Sequence, residues 1–159
     1  MISSSPNFFA VITSENKVVC WGNNKYHQCD VPSDLDNVVA ISCGYNHTAA
    51  LTAKGLVVCW GDNDENQCDV PPGLENVTTI CCGNEHTAAL TADGKVICWG
   101  ENYSGQCDVP PGLKNIVAIH CGYCYTAAVT REGTLIWWGL SCGVVPENLV
   151  VNTGNIILM

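Results

Sequence analysis

Short apolar runs alternate with turn residues along most of the chain and return at a regular interval. One copy contains the runs Val77 to Cys82, His86 to Thr91 and Lys95 to Trp99, which are rich in valine, isoleucine and threonine. Glycine, aspartate and asparagine separate such runs, as is typical of β-strands. The turn Ala92-Asp93-Gly94 between the second and third runs is typical of a tight hairpin. Because no stretch of the sequence has helical periodicity, the pattern predicts an all-β fold.

The interval between copies is set by Trp-Gly pairs that recur every 39 residues, beginning at Trp21, Trp60, Trp99 and Trp138. A strict period of this length marks a repeat protein, and small antiparallel sheets repeated at this length are typical of β-propeller blades. We therefore predict a single β-propeller-type repeat domain over residues 1–159. Its units are expected at approximately 7–37, 38–76, 77–115 and 116–159. The tryptophans and the paired alanines should pack between adjacent sheets, and the proline-containing segment Gln-Cys-Asp-Val-Pro should form a sheet edge or a crossing connection.

Composition narrows the choice of partners and compartment. The net charge is −9, and the six lysine and arginine residues are scattered singly along the chain. A surface that follows phosphates needs several cations on one face, so nucleic acid is not an expected partner. No apolar run approaches the roughly 20 residues of a membrane helix, and the first residues lack the pattern of an export signal. These features predict a cytoplasmic protein that does not bind membranes.

The twelve cysteines raise the question of disulfides or metal. Equivalent positions in neighbouring repeats are held apart, whereas a disulfide requires Cα atoms within about 7 Å, so we expect reduced, structural cysteines. Cys121 and Cys124 form a Cys-x-x-Cys motif, but its sister repeats indicate a strand end entering a turn. Residues 62–66 resemble the start of a calcium loop but lack its later glycine and glutamate. No cofactor or metal is therefore expected. Nine of the cysteines occupy three repeat positions: Cys20, Cys59, Cys98; Cys29, Cys68, Cys107; Cys43, Cys82, Cys121.

The repeat motif Gly-x-x-His-Thr-Ala-Ala-Leu-Thr-x-x-Gly-x-Val-x-x-Trp-Gly-x-Asn-x-x-x-Gln resembles that of the regulator of chromosome condensation family. The continuation Asp-Val-Pro-Pro-Gly-Leu resembles the bacterial-type variant, and the likeness covers about residues 7–149. The resemblance implies a propeller, usually of seven blades, but only four Trp-Gly pairs are present. The chain also begins mid-unit, and residues 150–159 could supply the missing strand. A small closed ring, an open arc capped by its own tail and an arc completed by a second chain all remain open.

Positions that differ between copies are free to serve a partner. The loop after each Trp-Gly pair and the turn before each second strand differ most, and exposed tyrosines are effective interface anchors. We therefore predict a non-catalytic protein–protein interaction module that uses these loops on one propeller face. The predicted partner-binding residues are Lys25, Tyr26, Tyr45, Asp64, Glu65, Glu85, Tyr103 and Tyr123.

Catalysis is not expected. His47 and His86 occupy a fixed repeat position at which Phe8 and Tyr125 replace them, which indicates packing. The sequence contains no Ser-His-Asp set and no phosphate-binding glycine loop. The resemblance nevertheless implies an alternative, a guanine-nucleotide exchange factor for a Ran-like small GTPase. Inhibition of an enzyme by an acidic loop face is a third hypothesis, and open sheet edges would favour self-association.

Overall fold

The computed structural model describes residues 1–140, which form four three-stranded antiparallel sheets. The all-β prediction is confirmed, and residues 1–140 contain no helix able to span a membrane. The strands, grouped by sheet, are β1 (Ile2–Ser4), β2 (Phe8–Ile12) and β3 (Val18–Gly22); β4 (Val38–Cys43), β5 (His47–Thr52) and β6 (Val57–Gly61); β7 (Val77–Cys82), β8 (His86–Thr91) and β9 (Val96–Gly100); β10 (Ile116–Cys121), β11 (Tyr125–Thr130) and β12 (Leu135–Gly139).

Each sheet is a meander whose middle strand pairs with both neighbours. In the second sheet, β5 runs antiparallel to β4, with Cys43 opposite Thr48, and to β6, with His47 opposite Gly61. The register shifts near the start of β4, and the same irregularity recurs in β7 and β10. Such bulges increase local twist, which suits blades that fan around an axis. The proline-containing segments connect one sheet to the next. They are therefore crossing connections, one of the two alternatives predicted for them, and not sheet edges.

The sheets stack in chain order, and their cores lie between them. Ala49 and Leu51 of the second sheet pack against Ile80, Ala89 and Trp99 of the third. The two alanines are fully buried, and their small side chains let the two sheets approach closely. The predicted packing of tryptophan and alanine between sheets is thus confirmed. Over residues 1–140, no strand pair joins the first sheet to the fourth, so the described sheets form an arc rather than a hydrogen-bonded ring.

The first sheet differs from the sequence prediction at its start. Ile2–Ser4 forms a short inner strand that pairs antiparallel with β2, bringing Ser3 opposite Ala10. The first unit is therefore not short of a strand, and it begins before residue 7. The strand expected from residues 150–159 lies outside the described residues.

The expectation that all cysteines are reduced is wrong for one pair. Cys81 on β7 and Cys121 on β10 form a disulfide with a Cα–Cα distance of 5.6 Å. Equivalent repeat positions are 39 residues apart, whereas these two cysteines are separated by 40 and lie where the inner strands converge. The equivalent pair between the second and third sheets is Ser42 and Cys82, so serine replaces one cysteine and no disulfide can form there. Instead, Ser42 Oγ accepts a hydrogen bond from Cys82 N at 3.0 Å.

Candidate interaction face

The two variable segments of each repeat lie at the same end of the arc. The first strand of a sheet runs toward this end, the second runs away, and the third returns to it. The inner turns (residues 44–46, 83–85 and 122–124) therefore lie beside the outer loops (residues 23–28, 62–67 and 101–106). Backbone bonds join the two sets, since Asp62 N donates to Asn46 O at 3.0 Å and Glu101 N donates to Glu85 O at 2.8 Å. We call this end of the molecule the loop face.

Repeat-invariant side chains hold each outer loop in one shape. In the second loop, Asn63 Oδ1 accepts from Cys68 N at 2.8 Å and Asn63 Nδ2 donates to Asp69 Oδ1 at 2.9 Å. Gln67 Oε1 accepts from Glu65 N at 2.9 Å. The other two loops repeat these bonds through their own asparagine and glutamine. The constant residues thus fold the loop, and the variable residues are displayed on it.

The same glutamines anchor each loop to the following sheet. Gln67 is almost fully buried, and its carbonyl accepts from Thr87 Oγ1 at 2.9 Å and from Trp99 Nε1 at 3.0 Å. This glutamine was not among the predicted site residues, although it is constant among the copies of the repeat. Each outer loop is held by hydrogen bonds within itself and by hydrogen bonds to the next sheet. It would therefore lose little conformational freedom when a partner binds, so the loop face is pre-organised for recognition.

The histidines link adjacent sheets beneath the inner turns, which confirms the packing role predicted for them. Thr87 uses its hydroxyl hydrogen on Gln67, so it accepts the bond from His47 Nε2 at 2.9 Å. His86 bonds Thr126 in the same way at 3.0 Å. Both histidines are fully buried, and burial lowers the pKa of His47 to about 3 and that of His86 to about 4. They are therefore neutral structural groups that are sealed from solvent.

The predicted site residues all lie on the loop face, with unequal exposure. Tyr103 is 83% exposed, Tyr123 67% and Tyr45 42%, whereas Tyr26 is half-buried beneath Lys25, whose Nζ lies 5.1 Å from the ring centroid. The structure brings Tyr45 and Tyr123 to one groove, while Tyr26 and Tyr103 lie in separate outer loops. The remaining predicted residues are acidic and occur on the second outer loop and the second inner turn: Asp64, Glu65 and Glu85.

Carboxylates cluster around Glu85. Partial burial raises the pKa of Glu85, and the nearby charges of Glu101, Asp62, Glu65 and Asp64 raise it further. Glu101 and Asp62 were absent from the predicted set, although both directly follow a Trp-Gly pair. Within residues 1–140, the acidic and cysteine side chains do not form a group suited to a metal ion. The cluster is a negative patch on the loop face.

The fold and its repeats define a propeller-type repeat protein, and comparison with known proteins identifies the family. A sequence profile described as Regulator of chromosome condensation (RCC1) repeat matches residues 2–28, 38–67 and 77–106, more than half of the chain. The chain therefore belongs to the family of RCC1-repeat proteins. None of the curated proteins compared with this chain matches it.

Solved structures share the fold. Human WBSCR16 is 23% identical with a TM-score of 0.78, covering 95% of this chain and 49% of its own. The ectodomain of the Physcomitrella patens receptor kinase CR4 is 23% identical with a TM-score of 0.77, covering 94% and 42%. Prp20p from Saccharomyces cerevisiae, described together with its binding to Gsp1p and histones, is 23% identical with a TM-score of 0.72, covering 87% and 43%. This chain spans less than half the length of each.

Proposed function

We propose that the protein is a non-catalytic interaction module whose loop face binds another protein. The observation that carries the proposal is the display of exposed tyrosines on loops that are already fixed by internal hydrogen bonds. Tyr103 and Tyr123 offer large, largely apolar surfaces, and side chains of this kind dominate the energetics of many interfaces. Rigid supporting loops reduce the entropy lost on association.

The charge of the loop face favours a basic partner surface. Four carboxylates lie around that of Glu85, and the whole chain has a net charge of −9. Complementary charge steers partners together and disfavours acidic ones, so association should be fastest at low ionic strength. The similarity to Prp20p, whose described partners are proteins, supports protein binding in general terms.

The alternative proposal is nucleotide exchange on a Ran-like small GTPase. It is supported only by membership of the repeat family and by the likeness to Prp20p. Release of a fluorescent guanine nucleotide from a panel of small GTPases, measured with and without this chain, tests it. Acceleration on one GTPase would establish exchange activity, whereas unchanged release throughout the panel would remove it.

Affinity capture with matched variants tests the binding proposal. Tyr103→Ala combined with Tyr123→Ala alters the loop face, whereas Lys54→Ala combined with Glu75→Gln alters exposed residues at the opposite end. Captured proteins are quantified by mass spectrometry, and each variant is first checked for folding by circular dichroism. We expect specific partners to be lost with the first pair and retained with the second. Equal retention by both would contradict the use of the loop face.

We also propose that the chain self-associates, through the outward face of the first sheet. Trp21 is 47% exposed, whereas Trp60, Trp99 and Trp138 are 8% exposed. Phe9 stands where the later sheets have Thr48, Thr87 and Thr126, and it stacks on Trp21 with ring centroids 5.6 Å apart. An exposed apolar face of this kind favours association with another surface.

Light scattering during size-exclusion chromatography tests the self-association proposal. Phe9→Thr introduces the residue found in the later sheets and removes half of the aromatic stack. We expect the wild-type mass to rise with concentration and the variant to remain monomeric over the same range. A wild-type chain that is monomeric at every concentration would refute self-association.

A further inference from the structure

The inner turns of all four sheets line one groove on the loop face. Its volume is about 300 Å³, and its floor consists of small residues such as Gly83 and Cys82. Tyr45 and Tyr123 rise beside it and remain 42% and 67% exposed. A floor of glycine and cysteine has no large side chain that would keep an extended chain away from the turns.

The turns form a regular row along this groove. Tyr45 N donates to Asn84 O at 3.1 Å, and Asn84 N donates to Tyr123 O at 3.2 Å. Pro6 occupies the corresponding position in the first sheet and has no N–H group. The Tyr45 carbonyl therefore lacks the donor that the Asn84 and Tyr123 carbonyls have, and it is available to a donor from a bound segment.

Acidic residues adjoin the groove at the inner turn of residues 83–85. Glu85 directly follows the groove residue Asn84, and Glu101 N donates to Glu85 O at 2.8 Å, so both acidic residues lie next to this turn. The ion pairs found in residues 1–140 involve other acids, Asp36 and Asp30, so no lysine or arginine neutralises the cluster around Glu85. A ligand of this groove would therefore gain from positive charge.

We propose that the groove binds an extended, basic peptide segment of a protein partner. Small or apolar side chains of the segment lie between Tyr45 and Tyr123, and lysine or arginine reaches the carboxylates around Glu85. The inference rests on the proposed function and narrows it, because it assigns binding to the inner turns rather than to the outer loops.

Selection from a random twelve-residue peptide display library tests the proposal directly. The wild-type chain is immobilised, and the recovered peptides are synthesised with a fluorescent label. We expect them to have net positive charge and to bind with an affinity that falls as salt increases. Recovery of neutral or acidic peptides, or of no enriched sequence from folded protein, would overturn the proposal.

Matched variants locate the contact for a recovered peptide, using fluorescence anisotropy. Glu85→Gln should weaken binding about ten-fold at low salt, because a charge-assisted bond contributes roughly this much. Tyr123→Ala should weaken it similarly, whereas Tyr103→Ala, in an outer loop, and Glu75→Gln, at the opposite end, should change it less than two-fold. Equal weakening by Tyr103→Ala and Tyr123→Ala would refute assignment to the groove.

The two proposals fail in different ways. If affinity capture depends on the loop face while no peptide competes with the captured protein, the partner binds the outer loops and only the groove assignment is wrong. If capture is indifferent to the loop face while Glu85→Gln abolishes peptide binding, the groove binds peptides but the captured partner uses another surface, so the broader proposal is wrong for that partner.

Discussion

Acidification from pH 7.5 to pH 5 should destabilise this protein through its two buried histidines. His47 and His86 are fully buried, and each donates its Nε2 hydrogen to a threonine of the next sheet. Within residues 1–140, neither Nδ1 atom has a hydrogen-bond partner. Protonation would therefore create a buried cation with an unsatisfied N–H group, which is strongly unfavourable.

The sign and size of the effect follow from the pKa values. An unfolded histidine has a pKa of about 6.5, whereas the folded values are about 3 for His47 and about 4 for His86. Below pH 6.5 the unfolded state therefore binds more protons, so the free energy of unfolding falls as the pH falls. Each histidine contributes at most about 1.4 kcal/mol per pH unit. Integrated between pH 7.5 and pH 5, the two together remove about 4 kcal/mol.

Urea denaturation followed by tryptophan fluorescence measures this loss. The double variant His47→Phe, His86→Tyr carries residues that the chain itself uses at the same repeat position, Phe8 and Tyr125. We expect it to lose most of the pH dependence above pH 5, although the lost hydrogen bonds cost about 1 kcal/mol each at pH 7.5. His120→Gln, at an exposed histidine outside the ion pairs of residues 1–140, is the control and should retain the wild-type slope. An unchanged slope in the double variant would show that the two histidines do not cause the loss of stability.

Three further perturbations follow from the contacts between sheets. Cys81→Ser should lower the free energy of unfolding of the oxidised protein by up to about 4 kcal/mol, which is the loop-closure value for a 40-residue separation. Chemical denaturation under reducing conditions should show little effect of the same substitution. Gly83→Ala should cost about 1–3 kcal/mol, because its Cβ would meet the His86 ring; an unchanged thermal midpoint would contradict this. Trp99→Phe should cost about 1 kcal/mol more than Trp21→Phe in the same assay, because only Trp99 is buried and bonded to a loop carbonyl.

Much of the fold could be predicted from local sequence patterns, because the same strand and turn patterns recur in several copies of the repeat. Val77–Cys82 and His86–Thr91, predicted as strands, are strands with those bounds. Ile2–Ser4 was missed because three residues with two serines give no apolar signal, and only pairing with β2 defines the strand. The disulfide was missed because its cysteines occupy different repeat positions and meet only where inner strands converge.

The candidate site was predictable in location but not in its internal arrangement. Variation among copies identified both variable segments, since constant residues such as Gln67 are needed to fold the loop. Glu85 and Glu101 are grouped because the outer loop that follows the third sheet lies against the inner turn of that sheet. Glu101 N donates a hydrogen bond to Glu85 O at 2.8 Å. Such proximity is set by tertiary packing, so a one-dimensional pattern does not contain it.

Hydrogen exchange of the chain with and without a captured partner shows which end of the molecule the partner contacts. Binding at the loop face predicts slower amide exchange in its inner turns and outer loops. It also predicts unchanged exchange in the turns at residues 53–55, 92–94 and 131–133, at the opposite end. Protection confined to those opposite turns, or spread evenly over both ends, would contradict binding at the loop face.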